Sequence, residues 1–549
     1  MSEVLKTPAQ VAAPPKLDAN WRSLRLYLPF LIPTVAALAL TLLRILAGGA
    51  NFIDDGALMM LALAGYLIGA AFLLTNLYAP SGMAQKVGLW AAGLGYFFNL
   101  ASWCVRWVAA HDRELEVLQR NGYGPEQMPW VWRYIPFANL YDLSLAFAAG
   151  AGLTTMLISG RRSFRFIGAL SLPLAALILV LARFIGDEFI NLPPVLDSYW
   201  RPIHVGTASI SYGVALVCFA AAVLYLLKVG TKTEAMGVWA AIFAIGVMMT
   251  IGGQIGTFRV LLTGNYAAST VLEGSRMSIP LRVQIPYVGP ALLLATVLLG
   301  GVILFFGQYL TSGKARMRAW GHRLLVASLV VQAVAVVLLV TQIKSGEQFG
   351  PCPASGSFFS KCYPTAQYQE FGAWLAGQQG VRPEQVKTLS PAQLRAGTEE
   401  FVQLSGSRLR LSLNANPVEL AALITAFAAT LFVSIFSFRT ERLRMALPAA
   451  EKLDGLMYRT ASVAFAGLAI LLITGAIWAN ESWGRYWGWD SKETGAFVAW
   501  LTYGGFLHAR IARGVTGKKS AYFAVVAFLL VIFTYLGVSY LLPGLHSYA

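Results

Sequence analysis

The sequence predicts an all-α fold: a polytopic integral membrane helix bundle of about thirteen transmembrane helices, N-terminus inside and C-terminus outside. Three observations carry this. Hydrophobic residues make up 57% of the 549 positions and charged residues 12%, against roughly 45–50% and 25% in soluble domains. Mean hydropathy is +0.61. Apolar runs of about twenty residues, enough to cross the hydrocarbon core, recur along most of the chain.

The predicted spans are 27–46, 57–78, 87–107, 139–159, 164–185, 204–228, 237–258, 286–309, 322–343, 415–438, 459–479, 495–512 and 520–542. Alternate loops are basic: the N-terminal segment with Arg22 and Arg25, then GRRSFR, KVGTK, GKARMRAWGHR, FRTERLRM and HARIARGVTGKK. The positive-inside rule places these in the cytoplasm. The formal charge of +16 is therefore a topology signal and argues against a nucleic-acid partner. Segment 1–26 reads as a polar cytoplasmic tail without a cleavable signal. The loops at 108–138, 186–203, 259–285 and 344–414, the stretch WGRYWGWDSKET (483–494) and the tail LHSYA then lie outside. In the longest loop, Ser390 of SPAQLRAGTEEF has the form of a helix cap.

Cys104 and Cys218 lie within apolar runs and read as small buried hydrophobes. Cys352 and Cys362 share an outer loop, where a structural disulfide is the plain reading and a thiol-exchange pair the alternative. His111 and His322 sit in polar loops beside charges and read as solvated. His204 in RPIHVGTASISY and His546 in PGLHSYA lie at the outer face, and His508 in YGGFLHARI near the inner end of its span. Two imidazoles at one membrane level beside an aromatic loop are what six-coordinate haem iron would need. The alternative is that interfacial histidine is simply tolerated there.

GAIWANESWGRYWGWDSKETGAFVAWLTYGGFLHARI resembles the tryptophan-rich WWD signature of haem-handling proteins in cytochrome c maturation. The resemblance is nearest to the CcsA (ResC) type of the two-component, system II cytochrome c synthase. RPIHVGTASISYG, LDGLMYRT and YLGVSYLLPGLHSYA resemble further segments of that family in its order, as do VRW (105–107) and IPFANLYDLSLAF (135–147). The resemblance implies that His204 and His546 are outer axial ligands of haem iron, that His508 belongs to a haem site within the membrane, and that Trp483, Trp487, Trp489 and Asp490 form the haem platform. It also implies a CcsB/ResB-type membrane partner, an apocytochrome c with a C-x-x-C-H motif, and a location in the bacterial inner membrane. Haem b would be the transported substrate, and the chain would be a subunit of holocytochrome c synthase, a haem lyase. Three departures stand out: Ser491 replaces the family's Pro, Gly495 its Trp, and helices near 231–450 are inserted.

On this reading the chain divides into the tail 1–26, membrane helices 27–230 with the first outer histidine, an insert 231–450 with the Cys loop 344–414, and a WWD-type haem-handling core 451–549. The indoles would contact the ring, and Arg485 and Lys492 its propionates. Asp490 and Glu493 would fix the loop. Thioether formation needs reduced thiols, so a thioredoxin-like reductant is expected. Two other functions remain: a haem-binding chaperone without ligation activity, and a solute transporter, suggested by the apolar-run polar residues Asn99, Arg106 and Asp142. A transporter predicts an internal repeat, and none is evident.

Overall fold

The computed structural model describes residues 21–47, 54–127, 131–185, 189, 194–249, 266–272, 278–344, 350–352, 361–411 and 417–538. A helix occupies all or part of each predicted span: α1 (Trp21–Ala47), α2 (Asp55–Tyr78), α3 (Gly82–Arg120), α4 (Leu140–Ser159), α5 (Gly168–Ile185), α6 (Trp200–Lys228), α7 (Thr233–Met249), α8 (Val288–Ser312), α9 (Ala315–Lys344), α12 (Pro417–Ser437), α14 (Ala450–Trp483), α15 (Ser491–Arg513) and α16 (Lys518–Ile532). Shorter helices are α10 (Tyr368–Gln378), α11 (Pro391–Ser405) and α13 (Thr440–Ala446). Among the described residues nine helices are long and apolar enough to cross a membrane, or ten if α12 and α13, bent by 81°, count as one span. The chain is an all-α, multi-pass integral membrane protein.

Hydropathy located the spans but not all their ends. Helix α3 runs well past 107 because HDRELEVLQR, although charged, lacks Gly and Pro and continues the helix to Arg120. The Ser390 cap is present: its hydroxyl accepts from the Gln393 N–H, and the Gln393 side chain returns to the Ser390 backbone.

Two apolar cores form. One packs α2 to α6 against α14 to α16. The other joins α7, α8, α9 and α12 to a five-stranded sheet. Within the first core, Gly150 of α4 and Gly213 of α6 meet backbone to backbone: a Cβ on Gly213 would lie 2.3 Å from the Gly150 carbonyl carbon. Such small-residue contact is how membrane helices approach closely, and it holds α6 against α4 below the candidate site.

The sheet was not foreseen. Its order is β3-β4-β2-β1-β5, with β1 Tyr266–Leu272, β2 Ser278–Ile285, β3 Gly350–Pro351, β4 Cys362–Tyr363 and β5 Leu409–Leu411. β1 and β2 pair antiparallel, with an irregularity between Ser269 and Thr270. Beside it the Gln367 side chain takes the place of a strand, accepting from Arg282 N (3.1 Å) and donating to Arg282 O (2.5 Å). The sheet joins the described strands of the two segments expected as loops at 259–285 and 344–414. The Cys352–Cys362 disulfide is formed, and it ties β4 to the residue after β3.

At the opposite end, two basic loops also meet. Lys228 Nζ donates to the carbonyls of Arg444 (2.7 Å) and Leu447 (2.8 Å). Arg444 donates back to Leu227 and Thr231, each at 3.0 Å. His322, expected to be solvated, instead contacts the buried Glu234 carboxylate at 3.3 Å beside Arg318.

Candidate functional site

Leu471, Gly475 and Trp478 recur at helical spacing on one face of α14, and this face receives His204 from the first turns of α6. His204 Nδ1 lies 2.9 Å from the Leu471 carbonyl oxygen. A carbonyl can only accept, so Nδ1 carries the proton and Nε2 is the basic nitrogen, the arrangement that prepares an imidazole to bind a metal. The ring is seated on Gly475, where a Cβ would come within 2.7 Å of Cε1 and 2.9 Å of Nδ1. The Trp478 ring stands 5.7 Å away.

These groups line a cavity of about 1150 Å³, open mouth included, that also takes in Phe137, Asn139, Trp483, Trp487, Lys492 and Tyr535. Its wall at 137–143 rests on a buried charge. Asp142 accepts from Ala138 N (3.0 Å), Asn139 Oδ1 caps α4 by accepting from Asp142 N (2.9 Å), and Arg106 donates to Asp142 from within the bundle. Arg106 is 1% exposed. It also lies 3.4 Å from Asp55 and 4.5 Å from the Tyr141 ring centroid. VRW and NLYDLS, distant in sequence, are thus one buried assembly.

The stretch WGRYWGWDSKET joins α14 to α15. Gly484, with φ +68°, ends α14 and donates to Asn480 O, the left-handed cap that favours glycine. Asp490 is the N-cap of α15 and forms a capping box with Glu493. Glu493 Oε2 also accepts from Gly488 N (2.8 Å) and Asp490 N (3.2 Å), gathering the loop around one carboxylate. Trp489 between them has φ +57°, costly for a bulky residue. Ser491 is the first helical residue, a position that suits Pro. The capping box between Asp490 and Glu493 defines the start of α15 here. Gly495 allows α15 to pack on the π turn Phe533–Gly537: a Cβ there would lie 2.9 Å from Thr534 Oγ1.

The structure brings His204, Trp483, Trp487 and Lys492 to one cavity. Lys492 lies in the first turn of α15, before the span read as 495–512. Burial pushes its ammonium down to about 8, with the Asp490 carboxylate acting the other way. Trp489 is 69% exposed and edge-on to Trp487, with centroids 5.6 Å apart. Arg485 is exposed and folds over Gly488 rather than lining the cavity. Asp490 is buried as the cap. His508 is exposed on α15, and two residues beyond it Arg510 grips Asp454 with both guanidinium nitrogens. LDGLMYRT and LHARI therefore meet. His546 lies outside the described residues. Sequence reasoning passed over Leu471, Gly475, Trp478, Phe137, Asn139 and Tyr535.

The lining suits a flat apolar ring that carries carboxylates. It offers indole faces, a basic imidazole nitrogen, a cation, and the enclosed Trp478 Nε1, which has no acceptor among the described residues. The fold and the site define a multi-pass membrane protein with an aromatic-walled, imidazole-bearing cavity at one end of the bundle. The family model of cytochrome c assembly proteins matches residues 137–277 and 419–546, two blocks that contain this cavity. The chain belongs to that family and is of the CcsA type. It is similar to the cytochrome c biogenesis protein CcsA of Prochlorococcus marinus strain MIT 9515, at 55% identity over 98 residues, 18% of this chain and 31% of the relative. The CcsA of strain NATL2A is 52% identical over 99 residues, covering 18% and 31%. That of Guillardia theta is 52% identical over 98 residues, covering 18% and 33%. The matches thus span about a third of the length of these curated relatives.

Proposed function

We propose that this chain carries haem b to the outer face of the bacterial inner membrane and presents it for covalent attachment to an apocytochrome c. The observation that carries the reading is the His204 imidazole, its tautomer set by the Leu471 carbonyl, in a cavity walled by Trp478, Trp483 and Trp487. His204 and His546 are the axial ligands in this reading. Trp483, Trp487 and Trp489 contact the ring, and Lys492 pairs with a propionate. Asp490 and Glu493 hold the loop. Arg485 serves at the mouth of the cavity.

The contribution to ligation is positioning: ferrous haem is held with its vinyl groups toward two reduced thiols of a C-x-x-C-H segment. Each thiol adds across a vinyl group, sulfur to one carbon and hydrogen to the other, with no net oxidation. The incoming cytochrome's own histidine replaces one axial ligand. A CcsB/ResB-type subunit supplies the second ligand to the haem held at His508, because the exposed face of α15 leaves room for another chain. A thioredoxin-like protein keeps the substrate thiols reduced. In this reading the unit 451–549 is the haem-handling core, 27–230 supplies the first outer histidine, and the insert 231–450 is a docking surface.

The test is the visible spectrum of the detergent-purified chain from haem-replete cells. A six-coordinate reduced spectrum that is lost in His204→Ala and His546→Ala supports the reading. A colourless wild-type protein, with or without its partner, sinks it.

A further inference from the structure

Three basic segments converge at the end of the second core away from the sheet. Residues 228–234 link α6 to α7, residues 313–323 turn from α8 into α9, and residues 438–445 follow α12. Together they hold nine lysines and arginines against two carboxylates, Glu234 and Glu441. Both carboxylates are engaged. Glu234 contacts Arg318 at 2.6 Å and His322 at 3.3 Å, and Glu441 pairs with Arg444. Lys228 and Arg444 are occupied on backbone carbonyls. Lys232, Lys314, Arg316, Arg323, Arg439 and Arg442 are exposed, and none pairs with a carboxylate among the described residues.

The charges are closest at the corner between α7, α8 and α9. Lys232 Nζ lies 5.0 Å, and the Arg318 guanidinium carbon 5.9 Å, from the centroid of one ring, that of Tyr309. Lys314 precedes Arg318 by one helical turn, on the same face. The buried Glu234 offsets one of these three charges. Glu234 holds Arg318 through Nε, which leaves the terminal guanidinium nitrogens as donors. Like charges gathered in this way repel, and a topology signal requires only that they stay on one side of the membrane. An anion seated over the corner would offset the repulsion.

Exposed apolar groups beside the cations indicate the kind of anion. Trp320 is 40% exposed and Phe438 64%. The Arg323 guanidinium lies 5.1 Å from the Trp320 ring and that of Arg439 5.2 Å from the Phe438 ring. Leu304 of α8 and Val326 of α9 continue the apolar surface along the flank of the bundle. A cation next to an exposed ring suits a lipid interface, where the charge meets a headgroup and the ring meets the start of an acyl chain. A free inorganic anion has no use for the rings.

We propose that the corner formed by Lys232, Tyr309, Lys314 and Arg318 binds the phosphate of an anionic phospholipid, whose acyl chains run along α8 and α9 past Trp320. The guanidinium donates to the phosphate oxygens as a planar fork, and the two lysines act as point charges. Basic pockets between membrane helices are suited to such headgroups. The site belongs to the second core and does not depend on the haem reading of the first.

The test titrates the full-length chain in detergent with phosphatidylglycerol, phosphatidylcholine and inorganic phosphate, and counts bound molecules by native mass spectrometry. Phosphatidylglycerol is expected to bind roughly fivefold or more tighter than either of the others. Lys232→Gln with Lys314→Gln should lower its affinity roughly tenfold or more while leaving phosphatidylcholine binding unchanged, which also shows that the variant folds. Lys518→Gln with Lys519→Gln removes the same charge from another basic loop and should have no effect. Equal affinity for the two lipids, or an equal loss in the two double variants, overturns the site. Inorganic phosphate binding as tightly as phosphatidylglycerol overturns the lipid as its occupant.

Discussion

The His204 imidazole rests directly on the α-carbon of Gly475, so close that a single added methyl group would lie 2.7 Å from its Cε1. The ring is held there by the Leu471 carbonyl, one turn earlier on the same helix. Position 475 therefore controls where Nε2 points, although Gly475 itself has no chemistry.

Gly475→Ala is expected to leave the helix intact, since Ala is the better helix former, and to push the ring off its acceptor. Overpacking of this kind costs about 1–3 kcal/mol, so the affinity for added haem should fall about fivefold or more. The readout is a spectroscopic haem titration of the purified chain. Unchanged affinity would show that His204 is not held by this seat.

The same pair shows how far the site could be read from the sequence. His204 was legible because histidine is scarce, with five in the chain, whereas Gly475 is one of 52 glycines and a backbone carbonyl has no signature at all. The tryptophan loop was legible by composition. Its split into cavity-lining Trp483 and Trp487 and exposed Trp489 was not, because the left-handed turn at Trp489 decides it. Spans followed from hydropathy, but the sheet did not. Strand β1 finds one partner nearby in β2 and the other, β5, more than a hundred residues away, and such pairing leaves no local trace. Arg106 and Asp142 looked like isolated polar residues until the fold joined them.

Glu493 holds the loop through two backbone N–H groups, those of Gly488 and Asp490. Glu493→Ala removes the one oxygen, Oε2, that accepts from both, and with it half of the capping box. Each lost partner of a buried donor costs about 1–3 kcal/mol. Hydrogen exchange across 484–490 should accelerate by at least tenfold, while the amides of α14 keep their protection. Glu493→Gln retains one acceptor oxygen and should fall between the two. Equal exchange in all three proteins would remove Glu493 from this role.

Lys492 supplies the cavity's cation, and burial has lowered it to about 8. The sign follows directly. Below that pH the ammonium is present to pair with a carboxylate; as pH rises through about 8 it is lost, and affinity for haem should decline. For the empty protein the same depression acts the other way: the unfolded chain keeps its proton to about 10.4, so stability rises with pH between about 8 and that value. Haem titrations from pH 7 to 9 should weaken in the wild type and stay flat in Lys492→Gln. A parallel pH dependence in the variant would assign it to another group.

Reduction of Cys352–Cys362 tests whether the pair is structural. Cys362 is buried in β4, and the bond fixes β3 against β4 at the sheet's edge. Cys352→Ser with Cys362→Ser should destabilise the sheet by about 2–4 kcal/mol, read as faster proteolysis within 350–411. Haem content should be unchanged, because the second core is separate from the first. Loss of cytochrome maturation with the sheet intact would favour thiol exchange instead.

Arg106 and Asp142 offer the sharpest test of what supports the cavity wall. Asp142→Ala leaves Arg106 buried with Asp55 at 3.4 Å as the remaining carboxylate and frees Ala138 N from its acceptor. Breaking a buried pair in this way costs about 3–5 kcal/mol, and the melting temperature in detergent should drop accordingly. Arg106→Met alone should also destabilise, but the double variant should lose less than the sum, because each single change strands a buried group that the other removes. A coupling of about 0.5–3 kcal/mol is expected for groups in one network. If the wall at 137–143 depends on this pair, both single variants should also weaken haem binding, with Asp142→Ala the more severe because only Asp142 holds Ala138. Additive stabilities, or a severe Arg106→Met with a silent Asp142→Ala, would mean that Asp55 rather than Asp142 is the essential partner.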